Sequence, residues 1–398
     1  MSRLDKDSKI AVIGSGSMGA GIAQVAATAG HTVFLFDNNG EALERASGKL
    51  KKILDRQVEK ERLSRKEADA IYGRIEFCSN LENLGGAALM IEAIVEDLDV
   101  KRNLFSHLEL IVDDSTILAT NTSSLSIAKI ASACSKPHRV LGIHFFNPAP
   151  LMPLVEIIPA VQTSGDALVE ARNLIDSWGK VTVIAKDTPG FIVNRVARPF
   201  YGEALRILEE GIADVPTIDW AVKELGGFRM GPFELMDYIG NDINYVVTET
   251  VFTEFFYDPR YRPSFTQKRM MEAGWLGRKT GRGYYDYSEG TPNPKPTEDA
   301  ELGQKVLHRI LVMLINEATD ALYLNISTRE GIELAMTRGV NYPKGLFQWA
   351  DELGLDNVLK QLEDLQDLYG EDRYRPSVLL KKMVKEKKTF YSENLIEN

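Results

Sequence analysis

The stretch from Lys9 to Asp37 limits what this chain can fold into more than any other part of it. Lys9-Ile10-Ala11-Val12-Ile13 is a short apolar run with β-branched members, and it leads directly into Gly14-Ser15-Gly16-Ser17-Met18-Gly19. Residues 20–29 are rich in helix formers, so the order predicts strand, glycine turn, helix. A second strand over 32–36 ends at Asp37. In this setting Gly14 permits the tight turn, Gly16 lets a pyrophosphate approach the backbone, and Gly19 lets the helix lie close to the sheet. Unpaired amides at the helix start would face the anion. Asp37 would accept hydrogen bonds from a ribose diol and repel a 2′-phosphate, which points to NAD rather than NADP. Glycine-rich loops are common, and the plainer reading is a tight strand–helix connection with an aspartate in the next turn. The flanking strand and helix favour the dinucleotide.

Farther along, a charged helix is expected over 41–62, and Ser64 with Glu67 has the spacing of a capping box for a helix running to about Tyr72. Apolar runs at 88–91, 116–119, 140–145, 154–158 and 181–184 are separated by helical or turn-rich segments. The alternation predicts a largely parallel sheet covered on both faces. The pattern changes near Asp187-Thr188-Pro189-Gly190: Ile192, Val196, Phe200 and Leu205 recur at helical spacing, and no convincing strand series returns before Tyr284. The segment 289–296 is polar with three prolines and reads as a linker.

Beyond the linker the chain partly repeats itself. Arg260-Tyr261-Arg262-Pro263-Ser264 returns as Arg373-Tyr374-Arg375-Pro376-Ser377, and a shift of 114 aligns Glu203-Ala204 with Glu317-Ala318, Gly231 with Gly345, Phe233 with Phe347, Asp237 with Asp351 and Gly240 with Gly354. Matches at one nearly constant offset indicate an internal duplication. The expected architecture is an α/β Rossmann-type dinucleotide-binding domain (1–188), a helical domain (189–289), a linker (290–300) and a second helical copy (301–398). Two such copies would pack against each other as the subunits of a symmetric dimer do.

Among five histidines, His144 stands apart because it closes the apolar run Val140-Leu141-Gly142-Ile143, and ligands in open parallel sheets bind beyond the carboxyl ends of strands. Glu156 lies inside Leu154-Val155-Ile157-Ile158, where a carboxylate is costly without a partner. Paired with His144, it would fix the imidazole tautomer and leave the second nitrogen to exchange a proton with substrate. Equally, His144 could satisfy a backbone group and Glu156 mark an edge strand, because perturbed pairs also serve structure. Asn121-Thr122-Ser123-Ser124, again at a strand end, could hold a substrate oxygen or a cofactor amide, although such a run ordinarily caps a helix, here one around Ile127; Asn194, near the start of the helical segment, is of a type that usually caps as well.

Composition bounds the rest. Hydrophobic residues at 44% and charged residues at 26% exclude general disorder over 398 residues, a length that suits two to three domains. Forty-seven Lys and Arg against 57 Asp and Glu leave a net charge of −10, so no nucleic-acid partner is expected. Cys78 and Cys134 are too few for a disulfide framework, and no leader precedes the first segment; a soluble protein of the reducing cytoplasm is expected. Glu92 and Glu317 interrupt the two most hydrophobic stretches, so no membrane span is expected.

Taken together, the motifs resemble those of the L-3-hydroxyacyl-CoA dehydrogenases, including the short-chain 3-hydroxybutyryl-CoA enzymes. The resemblance is carried by residues 14–19, 91–96, 121–124, 144–148, 187–195, 231–235 and 277–284, and covers 9–288. It implies reversible oxidation of an (S)-3-hydroxyacyl-CoA of short to medium chain, with His144 as base, Glu156 as its partner, Ser123 on the substrate and Asn194 near the reacting carbonyl. Cofactor contacts fall on Gly14, Ser15, Gly16, Ser17, Met18, Gly19, Asp37, Glu96, Lys101, Ser123, Asn147 and Lys279, CoA contacts on the basic helix over 49–60, and no metal is implied. The second helical copy has His308 where Asn194 would fall and no counterpart of residues 277–281 after Met383, so it reads as catalytically empty. A monomer built as a pseudo-dimer, or a homodimer, is expected. Two other readings stay open: a dehydrogenase of a free hydroxy acid, like carnitine or sugar-acid dehydrogenases, and a non-catalytic NAD-binding protein.

Overall fold

The computed structural model describes residues 4–391, which divide into two compact units between Phe191 and Ile192. In the first unit the described strands form one sheet of eight: β1 (Ile10–Ile13), β2 (Val33–Phe36), β3 (Ile75–Cys78), β4 (Leu89–Glu92), β5 (Ile117–Thr120), β6 (Val140–Phe145), β7 (Leu154–Pro159) and β8 (Val181–Ile184). Their spatial order is 3-2-1-4-5-6-7-8. The chain turns outward from β1 to β2 and β3 on one side and resumes at β4 on the other, so the order reverses at the carboxyl ends of β1 and β4. That switch point is where open α/β sheets take their ligands.

All neighbouring strands are parallel except β6 and β7. The exception has its cause in length: residues 146–153 are too few for the crossover of about a dozen residues that a parallel pair needs. Strand β3 was not expected from the sequence. It lies at the sheet edge with Glu76 exposed, and a four-residue alternation after a helix gives little periodic signal.

The first unit's helices are α1 (Ser17–Thr28), α2 (Gly40–Glu59), α3 (Arg65–Gly73), α4 (Leu98–Ile111), α5 (Ile127–Ala131) and α6 (Gly165–Ser177). Helix α2 buries Leu43, Ala46, Leu50 and Leu54 and leaves Lys49, Lys51, Lys52 and Arg56 exposed. The capping box at the start of α3 is formed, with Glu67 N–H on Ser64 Oγ and Ser64 N–H on Glu67 Oε2.

The second unit is helical: α7 (Val193–Val196), α8 (Arg198–Glu209), α9 (Val215–Trp220), α10 (Pro232–Ile239), α11 (Asn241–Glu254), α12 (Phe265–Glu272), α13 (Ala300–Tyr323), α14 (Arg329–Leu334), α15 (Leu346–Leu353), α16 (Leu355–Tyr369) and α17 (Val378–Glu386). Among its described residues, extended structure is confined to isolated bridges joining Gly277, Arg282 and Asp286. Helix α13 is buried without interruption from Arg309 to Thr319 and forms the centre of this unit.

Polar contacts in this interior come in matching sets. Arg195 Nε and Tyr261 OH donate to Glu317 at 2.6 Å each, and Arg309 Nε and Tyr374 OH donate to Glu203 at 3.0 Å each. Asp237 accepts the amides of Tyr284 and Tyr285, and Asp351 accepts those of Phe390 and Tyr391. The turn over 277–283 has no sequence counterpart after Met383, yet Phe390 and Tyr391 make the bonds that Tyr284 and Tyr285 make. No helix of the described residues is long and apolar enough to cross a membrane.

Candidate active site

The glycine turn packs as its sequence demands. Gly14 has φ +100°, and a Cβ there would lie 2.6 Å from the carbonyl oxygen of Ala93; at Gly19 a Cβ would lie 1.8 Å from that of Gly14. Around Gly16, by contrast, a Cβ would meet nothing within 4 Å. Helix α1 starts at Gly16 without a side-chain cap and with no acidic residue in its first turn, so its amides and positive dipole end suit a pyrophosphate. Ser17 is exposed and Met18 half-buried beside this space. Ser15 N–H and Oγ–H donate to Asp37 Oδ2 at 2.8 and 2.7 Å, and Asn39 N–H donates to Oδ1 at 3.0 Å. Partial burial pushes the Asp37 carboxyl up, but these donors hold it below its usual range, so it is a carboxylate at neutral pH. The residues fit NAD: a pyrophosphate cradle with a carboxylate one strand away.

Along the sheet, Glu92 at the end of β4 is fully buried and takes Lys101 Nζ at 2.5 Å, Thr120 Oγ1 at 2.7 Å and Ile94 N–H at 2.7 Å. Lys101 is 1% exposed and also lies 3.3 Å from Glu96. Glu96 in turn accepts from Thr122 Oγ1 at 2.5 Å and from Ser123 N–H at 3.0 Å. Burial raises the Glu96 carboxyl, and Lys101 with these donors brings it below its ordinary value. Of the expected cofactor contacts, Glu96 and Ser123 are therefore joined, while Lys101 sits beneath them as the charge that holds Glu96. In the sequence Glu92 stood only as a break in an apolar stretch, though a carboxylate in an apolar strand was the same signal that singled out Glu156.

His144 and Glu156 stand directly opposite each other in the antiparallel β6–β7 ladder. Their side chains share a face, with Nδ1 2.7 Å from Oε2. Glu156 is fully buried and His144 is 6% exposed. An ionised carboxylate only accepts, so Nδ1 carries the hydrogen and Nε2 is the proton-accepting nitrogen. Phe146 and Phe191 flank the imidazole with ring centroids 4.5 and 5.9 Å away. Phe191 holds φ +48°, a left-handed conformation that is costly for an aromatic residue and is imposed by the turn after Pro189. Asn121 Oδ1 takes the Phe145 amide at 2.8 Å, tying the end of β5 to that of β6. The cap of α5 is Ser126 together with Asp187, which accepts the amides of Ile127 and Ala128. Asn147 is exposed just past β6. Asn194 and Lys279 belong to the second unit, where Asn194 is half-buried on α7 and Lys279 ion-pairs with Asp242 at 2.6 Å.

A glycine fingerprint and a buried His–Glu pair do not by themselves name a substrate. The NAD-binding domain of 3-hydroxyacyl-CoA dehydrogenase, as a family model, matches residues 9–188, and the C-terminal domain of that enzyme matches 190–287 and 306–392. The chain belongs to the 3-hydroxyacyl-CoA dehydrogenase family. Membership makes it an NAD-dependent oxidoreductase and sets aside the non-catalytic reading. A 3-hydroxyadipyl-CoA dehydrogenase of Escherichia coli K12 is 37% identical over 94% of this chain and 96% of its own length. A probable 3-hydroxybutyryl-CoA dehydrogenase of Bacillus subtilis is 41% identical over 71% of this chain and 98% of its own. The crystal structure of a 3-hydroxybutyryl-CoA dehydrogenase from Escherichia coli K12 superposes with a TM-score of 0.91 at 35% identity, covering 96% of this chain and 99% of that one. Like other members of the family, this chain follows its dinucleotide-binding sheet with a helical unit.

Proposed function

We propose that the chain interconverts (S)-3-hydroxyacyl-CoA and 3-ketoacyl-CoA, with His144 as general base and Glu156 as its electrostatic partner. The observation that carries this reading is the 2.7 Å contact between the two, formed by cross-strand register in a buried setting. Bound NAD would supply the hydride acceptor for C3. The hydroxyl proton passes to His144 Nε2, and Glu156 stabilises the imidazolium so formed. Ser123 and Asn194 hold the substrate oxygens as charge develops. Gly14 to Gly19, Asp37, Glu96, Asn147 and Lys279 contact the cofactor, with Lys101 acting through Glu96. The exposed Lys49, Lys52, Arg56 and Lys60, spaced three and four apart, form a basic face suited to the phosphates of CoA, which favours a thioester over a free hydroxy acid. Saturable NADH oxidation with acetoacetyl-CoA, and none with free 3-keto acids, is the expected result; the reverse preference would overturn the reading. Asp37→Ser should narrow the preference for NAD over NADP by about tenfold or more, measured as a ratio of kcat/KM values, because it removes the charge that repels a 2′-phosphate.

The reading extends to acyl chains of short to medium length, and here the relatives differ in chemistry. A butyryl chain ends in a methyl group, an adipyl chain in a carboxylate. Free, buried Cys78 and Cys134 suit a reducing cytoplasm.

We further infer that residues 301–398 duplicate 189–289 and take the place of a partner subunit's domain. Support comes from one family model matching both stretches and from the crossed contacts, in which Glu317 receives Arg195 and Tyr261 while Glu203 receives Arg309 and Tyr374. Light scattering should give a monomer for the full chain, and deletion of 297–398 should give an insoluble or newly dimeric protein. A full-length dimer, or a soluble monomeric truncation, would contradict the pseudo-dimer.

A further inference from the structure

Arg198 is a buried cation without a counter-charge. It is 6% exposed, and among the described residues no carboxylate lies within ion-pair distance of it. One terminal nitrogen donates to Thr248 Oγ1 at 3.1 Å, the guanidinium lies over the Tyr201 ring at 4.9 Å, and Nε has no partner. Burial accordingly pulls its pKa down. Other buried arginines of this unit, Arg195, Arg260 and Arg309, each meet at least one carboxylate. A buried ion left uncompensated weakens a fold, so its presence asks for a reason other than packing.

The second helical copy supplies the control. Arg198, Tyr201, Asn244, Thr248 and Gln267 are all buried, and Gln267 Nε2 bridges Asn244 at 2.6 Å and Thr248 at 3.1 Å. At the shift of 114, and of 113 past the deleted proline, the corresponding residues are Val312, Ile315, Val358, Leu362 and Leu380, every one of them fully buried. The corresponding positions are thus filled by five buried aliphatic side chains. The polar set belongs only to the copy that carries Asn194.

Position along the helix says what the set faces. Ala197 keeps right-handed helical dihedrals between α7 and α8, and its amide bonds Val193 O at 2.9 Å, so the helical path continues from Asn194 to Arg198. Residues four apart share a helix face one turn, 5.4 Å, from each other. The stripe runs on through Tyr201, Gly202 and Leu205, which with Arg198, Thr248 and Gln267 line a small cavity of about 10 Å³, the least that admits a single water-sized group. Three bonds of an extended acyl tail span about 4 Å, and a terminal carboxylate reaches about 5 Å.

We propose that Arg198 receives the terminal carboxylate of a dicarboxylic 3-hydroxyacyl-CoA and so selects that substrate class, an inference that rests on the reading of Asn194 as the residue beside the reacting oxygen. The carboxylate supplies the missing counter-charge, and the Thr248–Gln267–Asn244 hydrogen bonds hold the guanidinium in place for it. A neutral tail of equal length would leave Arg198 buried and unpaired, the kind of mismatch that enforces strong discrimination.

The test compares 3-hydroxyadipyl-CoA with 3-hydroxyhexanoyl-CoA, which differ only in a terminal carboxylate against a terminal methyl. The full-length wild-type chain is expected to favour the carboxylate by about 100-fold in kcat/KM. Arg198→Met should collapse that ratio to near one or invert it, and Arg198→Lys should retain part of it. A ratio is insensitive to folding damage, which lowers both numbers together. Wild-type preference for the hexanoyl thioester, or an unchanged ratio in Arg198→Met, overturns the proposal while leaving the dehydrogenase reading intact. Failure of the wild type to act on either thioester overturns the dehydrogenase reading, and this proposal with it.

Discussion

His144→Ala is expected to lower kcat by about three orders of magnitude while the Kd for NADH, read by fluorescence titration, changes less than about twofold. On the proposed mechanism, nothing accepts the hydroxyl proton without Nε2 as hydride leaves C3. The fingerprint glycines and Asp37 belong to β1, α1 and the end of β2, whereas His144 ends β6, so the dinucleotide cradle does not depend on the imidazole. Glu156→Gln tests a subtler point. A glutamine oxygen still accepts the hydrogen on Nδ1 and preserves the tautomer, but the countercharge for the imidazolium is gone. A loss of about 100-fold in kcat is expected, with KM nearly unchanged, because the interaction strengthens only as the proton arrives. Turnover within a few-fold of wild type in either variant would remove the pair from the reaction. Glu156→Ala is the poorer probe, since it opens a cavity and strands His144 in a buried strand at the same time.

How far the residues announced this arrangement can be judged element by element. Glycines at which a Cβ would fall 1.8 or 2.6 Å from a backbone oxygen admit no other residue, and a constraint that local is readable from six letters. The capping box is equally local, with Ser64 and Glu67 three positions apart on one turn. His144 and Glu156 were found because a histidine at a strand end and a carboxylate in an apolar run each need explaining; their register was hidden, since the antiparallel β7 is set by the short connection over 146–153. Glu92 escaped for a different reason. Its partner Lys101 comes from the first turn of α4, where a lysine after Asp97 looks like ordinary helix surface, and only the fold shows it 1% exposed. Strand β3 is no shorter than β1, β2 or β4, but Glu76 breaks its apolar residues apart, so no continuous run announces it. Arg198 lay inside a motif noted for Asn194, yet its isolation became visible only with the burial of every neighbour and of the aliphatic Val312, Ile315, Val358, Leu362 and Leu380.

The largest effect on stability is expected from Glu317→Ala. This carboxylate is 1% exposed in the middle of α13 and gathers Arg195 Nε at 2.6 Å, Tyr261 OH at 2.6 Å and Arg260 at 3.4 Å, while Arg260 reaches on to Asp320. Removing it leaves two guanidiniums, 2% and 7% exposed, with one carboxylate between them. Breaking a buried pair from one side costs about 3–5 kcal/mol, which for a unit of this size is a fall of about 10 °C in Tm. Replacing charge on both sides, as in Arg195→Met with Glu317→Leu, should be milder than Glu317→Ala alone, because only Arg260 then loses a carboxylate, and it keeps Asp320. Acid titration provides an independent check. Burial raises the Glu317 carboxyl, but Arg195, Arg260 and Tyr261 outweigh it and hold it below the usual 4.5. A folded-state value below the unfolded one means that its contribution is complete above about pH 4.5 and disappears as pH falls through the lower folded value. The wild type should therefore lose stability more steeply below pH 4.5 than Glu317→Ala, whose alanine has nothing to protonate. Calorimetric scans across that range that run parallel for the two proteins, or a Tm for Glu317→Ala within about 2 °C of wild type at neutral pH, would mean that this carboxylate is not what holds the interior of the helical unit together.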